Sequence, residues 1–434
     1  MNNSSVFKFL IYYFLLFPLF AVFTVKLLGS PPRNLTGLMM IVLIFFVLLN
    51  AKLIVYSRFL QFYMLFFVYI SILNIVKVNS EISFFKFLYA NTGLHFLLFL
   101  IFIQWDIKYF WLNLKLIHQL LVFIIILSAI VIIVQQFIPT FFVNPRYIKA
   151  WMEMKGGSLF QAEELRSPSI FSWAGTMGIG LIFLPFVAVV VNNYLIIKKN
   201  RLAYLFLFLG LLVAILSKGR WAMINAGILF AMIFHYNKVH LGRTIKIVFI
   251  IALALVGIYY LLPFIGINVN KLIADRILET SNGGLKEGSA SSRILAFEVF
   301  FRLFPKAPVF GVGSQITNDL IKELAGRSSQ LHVGYLSLLY YYGIIGGLIY
   351  FVFIYYLTKT LFRNAKIHGY YSPLYSWIGF LLANLTLNFI IPFEAGILLV
   401  LLLDKYYLIA HREKTLNLSV KPNPSMPQQI LDAI

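Results

Sequence analysis

Apolar runs separated by charged or Pro/Gly-rich breaks recur along nearly the whole chain. A bilayer core about 30 Å thick is crossed by a helix of roughly 20 apolar residues. The pattern predicts spans at 8–28, 36–56, 59–76, 85–105, 117–138, 169–193, 202–217, 221–237, 247–266, 332–358, 373–392 and 393–410. Asn50 and Lys52 weaken the second run and the last two are short, so about twelve spans is the best count. Two polar stretches, 139–168 and 267–331, stand out as loops. Within the second, RILAFEVFFRLF (293–304) sets Ile294, Phe297, Phe301 and Phe304 at helical spacing. This predicts an amphipathic helix lying at the membrane surface with that face in the lipid; DLIKELAG (319–326) predicts another short one. The expected fold class is an all-α integral membrane protein, one polytopic domain over 1–410. Its polar, Pro-containing tail, 411–434, is expected to be cytoplasmic and disordered.

Composition closes off the soluble classes. Of 434 residues 61% are hydrophobic and 12% charged, against roughly 25% charged in soluble chains. The first apolar run lacks a small-residue cleavage site and reads as a retained span rather than a signal peptide. Without Cys there is no disulfide, thiolate nucleophile or thiolate metal site.

A net charge of +21 would suggest nucleic acid in a soluble protein, but here topology explains most of it. With the N-terminus inside, the inner ends of the spans and the tail collect eighteen Lys and Arg. The short outer loops hold six: Lys26, Arg33, Lys77, Lys86, Lys218 and Arg220. Cytoplasmic loops are enriched in Lys and Arg, so both termini are expected in the cytoplasm and no nucleic-acid partner is implied.

Charges at the edges of spans are costly and therefore informative. Acidic candidates for an ion pathway are few, and Asp106, Glu394 and Asp404 fall at predicted span ends. The basic ones gather on the outer side. SKGRWAMI (217–224) turns tightly at Gly219 and sets Lys218 and Arg220 at the outer boundary; alone, they read as snorkelling side chains closing a hairpin. In GSASSRILAFEVFFRLFPKAPVFGVGSQ (288–315) Arg293 opens the surface helix, where pairing with Glu298 or a lipid phosphate would also account for it. LHVGYLSLLYYYGIIGGLIY (331–350) puts His332 at the outer end of a long span, where a lone His is commonly a structural hydrogen bonder. Together the three make a stronger case. Arg keeps its charge and grips phosphate with a bidentate fork, and neutral His can take a proton near pH 7. The set suits a sugar hydroxyl displacing a pyrophosphate, with arginines stabilising the leaving group. No DxD or His/carboxylate cluster calls for a divalent metal, and no cofactor is implied.

The order SxGR, then SR…F…P..P..G.G in a large outer loop, then H…YL.LLYYYGIIGG, resembles the O-antigen ligase/O-antigen polymerase family of bacterial membrane glycosyltransferases. RSPSIFSWAGTMGIGL (166–181) is similar to the segment leading into that family's middle spans. The resemblance implies a C-type, all-helical glycosyltransferase of the bacterial inner membrane, working on its outer face. Arg220 and Arg293 would stabilise the pyrophosphate of a polyprenyl-linked donor, and His332 would orient or deprotonate the acceptor hydroxyl. Arg166 and Lys218 would assist with phosphate or glycan. Gly219 stands where the family commonly has Ser, and Val333 where Asn often follows the His. The implied partners are the undecaprenyl-pyrophosphate-linked glycan, an acceptor on a lipid carrier or on lipid A–core, membrane lipids and a chain-length regulator. The absence of a dedicated core- or protein-docking domain favours a polymerase. The alternatives are a ligase and, from another class, a flippase of lipid-linked sugars, which would need basic residues along a path across the bilayer.

Overall fold

The computed structural model describes residues 57–76, 114–143, 167–171, 178–217, 219–237, 291–313, 333–385 and 403–411, with a few isolated positions besides. The expected spans at 8–28, 36–56 and 85–105, nearly all of 247–266, the helix at 319–326 and the tail beyond residue 411 lie outside them. Among the described residues the structure is helical: α1 Arg58–Val76, α2 Leu114–Phe137, α3 Leu184–Ile196, α4 Asn200–Leu216, α5 Arg220–Asn237, α6 Ser291–Leu303, α7 Gly334–His368, α8 Ser372–Ala383, and α9 over 403–411. Among the described residues three stretches are long and apolar enough to cross a membrane: α2, Ile179–Ile196 and α7.

α2 shows how the sequence chooses its faces. It is apolar all round, as a helix in lipid can be. Phe123, Ile126, Ile130 and Ile133 point outward, while Leu121, Ile125, Ser128, Ile132 and Gln135 are buried one above another. Ser128 and Gln135 thus face protein, where partners exist; in hydrocarbon an unpaired amide would cost several kcal/mol.

α8 stops at Ala383, short of the expected 392, and two elements depart internally from the expected spans. The run at 169–193 is not one helix. Ser169–Phe171 forms a separate 3-10 turn, and a π-turn over Ile179–Phe183 leads into α3. Pro185 supplies the reason for the π-turn, having no N–H to give. The Leu184 N–H bonds back to the Ile179 carbonyl, and the orphaned Gly180 carbonyl takes the Asn225 amide at 3.0 Å instead.

The second is α7. Expected as a continuous span over 332–358, it runs on to His368 and is broken at Gly343 (φ 65°, ψ −172°). The break removes the bonds that the Ile344 and Ile345 N–H groups would make to the carbonyls of Tyr340 and Tyr341. Residues Pro308–Gly313 replace them. Ile344 and Ile345 donate to the Pro308 and Val309 carbonyls (2.9 and 3.1 Å), and the Tyr340 and Tyr341 carbonyls accept from Val312 and Gly313 (3.2 and 2.8 Å). Both freed donors and both freed acceptors are satisfied, which is what allows irregular backbone at membrane depth. The Tyr69 hydroxyl closes the remaining gap, accepting from the Gly346 N–H and lying 2.9 Å from the Tyr342 carbonyl and 2.8 Å from that of Phe310. Downstream, α7 ends at Gly369 in the left-handed region, with Lys366 and His368 in its last turn complementing the helix dipole.

α1 runs antiparallel to α7 along a seam of rings: Phe62 on Tyr356, Tyr63 on Phe353, Phe66 on Tyr350, with centroids 5.3, 5.0 and 5.0 Å apart. Aromatic–aromatic pairs of this kind add about 0.5–1.5 kcal/mol each beyond area burial. α6 turns Ala296, Val299, Phe300 and Leu303 toward protein and leaves Ile294, Phe297 and Phe301 exposed, while Phe304 stacks on Phe300 at 4.7 Å.

The pairings give the bundle two distinct ends. At one, the Asn193 amide donates to His118 and to the Tyr406 hydroxyl, Asn192 donates to Tyr407, and Asn364 donates to Asp404. Lys115, Lys198, Lys199 and Arg201 lie on the ends of α2, α3 and α4 there. At the other end stand the starts of α5 and α7 and the ends of α4 and α8.

Candidate active site

Arg166, Lys218, Arg220 and His332 are flanked by described residues at that second end, while Arg293 lies on α6, which packs on α7. Arg220 is the first residue of α5 and Arg293 the third of α6; both are described in their backbone alone. Arg166, Lys218 and His332 lie outside the described residues, but the residues beside them do not.

The turn into α5 is built by one serine. Ser217, fully buried at the end of α4, donates its hydroxyl to the Ala214 carbonyl (2.7 Å) and accepts from the Gly219 N–H (3.1 Å). The Gly219 carbonyl then takes the first helical bond of α5, from Met223 at 3.2 Å. Gly219 is therefore the N-cap, where Gly is well tolerated, and Arg220 begins the first turn with its free N–H groups.

Leu331 and Val333 bracket His332. The Leu331 carbonyl accepts the Ser337 hydroxyl (2.9 Å), Val333 is the extended N-cap of α7, and the Gly334 N–H donates to the Asn384 carbonyl at the end of α8 (3.0 Å). α8 also links this start to that of α5. Gly379 packs against the Asn225 side chain so closely that a Cβ would come within 2.9 Å of its oxygen. Asn225 is five residues into α5 and Gly379 five residues before Asn384, about 7.5 Å of helix in each case. The starts of α5 and α7 thus stand at one height. α6 joins through α7, by its buried face and by the Pro308–Gly313 segment that follows it.

Ser167, next to Arg166, is held by α2: its hydroxyl accepts the Gln136 amide at 2.9 Å. Two residues on, Ser169 adopts a left-handed backbone (φ 53°) with every polar group engaged. Its N–H meets the Gln135 oxygen at 2.9 Å, its carbonyl the Gln135 nitrogen at 3.1 Å, and its hydroxyl the Ser128 carbonyl at 2.8 Å.

Beneath the start of α5 a small groove lies between α3, α5 and α8, lined by Gly180, Leu184, Ala188, Asn225, Leu229 and Tyr375 among others. The Asn225 oxygen is buried there with no protein hydrogen bond.

Sequence reasoning missed the supports: Gln135, Gln136, Ser217, Asn384 and the partners of Gly343. The consecutive glutamines were a visible signal, since two amides in an apolar run imply local partners. Among the described residues no group of three or more His, Asp or Glu is placed to hold a metal ion.

No curated protein matches the chain. Residues 203–351, from α4 into α7 and including Lys218, Arg220, Arg293 and His332, match the family model described as O-antigen ligase. That stretch, about a third of the 434-residue chain, is what is similar to the O-antigen ligase family.

Proposed function

We propose that the protein transfers a glycan from a polyprenyl-pyrophosphate donor to a sugar hydroxyl, as an O-antigen-type polymerase acting on a lipid-linked repeat unit. One observation carries the reading: Arg220 and Arg293 each lie in the first turn of a helix, and His332 comes two residues before a third. A helix N-terminus repels cations and attracts anions by about 0.3–1 kcal/mol per group. Two arginines there make electrostatic sense when a polyanion sits between guanidinium and helix end.

The acceptor oxygen attacks the anomeric carbon as the bond from that carbon to the pyrophosphate oxygen breaks. The hydroxyl proton passes to the His332 imidazole, and the polyprenyl pyrophosphate leaves with the bonding pair. Arg220 and Arg293 stabilise the charge growing on the leaving oxygen, with Arg166 and Lys218 assisting. The cations at the His118 end make that side cytoplasmic by the Lys/Arg rule, so that the reaction faces outward from a bacterial inner membrane. A chain-length regulator is a further partner on this reading.

The second reading is a ligase delivering the glycan to lipid A–core, favoured by the family's own description. Reconstitution of the full chain with lipid-linked repeat unit, with and without lipid A–core, separates them. A ladder without core supports the polymerase, product only with core supports the ligase, and no transfer in either overturns both.

A further inference from the structure

Gln136 is one residue of α2 whose amide reaches two other stretches of chain at once. Its nitrogen lies 2.9 Å from the Ser167 hydroxyl and 3.3 Å from the Leu216 carbonyl, and also 3.0 Å from the Ile132 carbonyl of its own helix. Ser167 is bonded covalently to Arg166, and Leu216 stands two residues before Lys218 and four before Arg220. The Ser167 and Leu216 oxygens are therefore tied within about 6 Å of each other through a single nitrogen. The Leu216 carbonyl, in the last turn of α4, has no intrahelical donor of its own, so Gln136 supplies a bond the helix end requires.

Its neighbour shows the contrast. Gln135 spends its whole amide on Ser169 and the Phe141 carbonyl, closing the turn after α2. That is a folding role. Gln136 is only half buried and ties the turn to the far end of α4.

We propose that Gln136 is a positioning residue: by tying Ser167 to the Leu216 end of α4 it holds together the two segments that carry Arg166 and Lys218–Arg220, so that both serve one pyrophosphate. This rests on the reading of the site under Proposed function. A phosphate gripped by two guanidinium groups from different segments is sensitive to their separation, because bidentate geometry tolerates little displacement.

The test compares Gln136→Met, which fills the same volume but donates no hydrogen bond, with the parent protein. The full chain is reconstituted with lipid-linked repeat unit. Expected are an unchanged Tm within a few degrees, an about tenfold fall in kcat/KM for the lipid-linked donor, and an unaltered KM for the acceptor. The Cys-free sequence allows a second readout without activity, in which Arg166→Cys with Lys218→Cys is bridged by a short bifunctional maleimide. Bridging is expected to be efficient with Gln136 and to drop several-fold with Gln136→Met. Parental donor kinetics and parental bridging in Gln136→Met overturn the proposal, as does a loss shared equally by donor and acceptor together with a lowered Tm. The site reading fails separately, if Arg220→Ala retains full transfer.

Discussion

Gly311 and Gly343 meet backbone to backbone, so closely that a Cβ on either would overlap main-chain atoms of the other's segment. Both have positive φ, 77° and 65°. Neither glycine is there for flexibility: their missing side chains let a loop segment enter the gap in α7 and complete its hydrogen bonding. Gly343 lies in a region of φ/ψ space that is essentially restricted to Gly, where another residue costs about 1–3 kcal/mol even without overlap. Gly343→Ala is expected to lower Tm in detergent by several degrees or to prevent folding, and Gly311→Ala to do the same. A parental Tm in both would disprove the lock.

Tyr69→Phe tests the same junction more gently. The ring and its packing remain, but the hydroxyl that bridges Gly346, Tyr342 and Phe310 is lost. Buried groups left without a partner cost about 1–3 kcal/mol, so a smaller Tm decrease than that of Gly343→Ala is expected in a thermal melt.

For the chemistry, Arg220→Ala and Arg293→Ala are expected to lower transfer by about 10²–10³-fold, the range for removing a group that stabilises developing charge. His332→Ala is expected to lose a general-base contribution of about 10²–10⁴-fold. All three should insert and run as monodisperse protein on size exclusion. Full-length polymer from all three in a deletion host would refute the assignment.

Leaving-group stabilisation by arginine predicts transfer that persists in EDTA. A strict requirement for added Mg²⁺ or Mn²⁺ in the reconstituted reaction would contradict it.

Depth can be checked by labelling. Tyr69, whose hydroxyl meets the Phe310 carbonyl, is eleven residues beyond Arg58 and seven short of Val76, about 16 Å and 10 Å along α1. If α1 spans the membrane, the Pro308–Gly313 segment is expected to lie below the membrane boundary. Phe310→Cys is expected to resist a membrane-impermeant maleimide from either side, Lys286→Cys to react from outside, and Lys199→Cys from the cytoplasm. Ready labelling at 310 would place the segment in water instead.

Much of the helical layout was legible because apolar length and Lys/Arg breaks are one-dimensional signals. α1, α2, α4 and α5 begin and end within a few residues of the predicted spans. The two failures share a cause. Pro185 and Gly343 sit inside apolar runs, and hydropathy does not register the loss of a backbone bond; the remedies, Asn225 and Pro308–Gly313, come from distant parts of the chain. The expected surface helix was half right. Its Ile294, Phe297 and Phe301 are exposed as predicted, yet the helix also has a second apolar face, because the loop after it is bonded to α7. Arg220 was legible at its helix start from the turn at Gly219, and Arg293 was expected to open the surface helix, of which it is the third residue. The supports were not: Ser217 shapes the turn before α5 through bonds to Ala214 and Gly219, while Asn384 and Gln136 act through partners distant in sequence.

The exchange of hydrogen bonds at Gly343 also bears on biogenesis. Residues 308–313 leave the ribosome before α7 does, so the donor segment is already waiting on the far side when the broken helix enters the insertion machinery. Until the two dock, two amide protons and two carbonyl oxygens face hydrocarbon or must stay in contact with water. The loop is in that sense part of the transmembrane element, since the backbone hydrogen bonding of α7 is complete only with it docked.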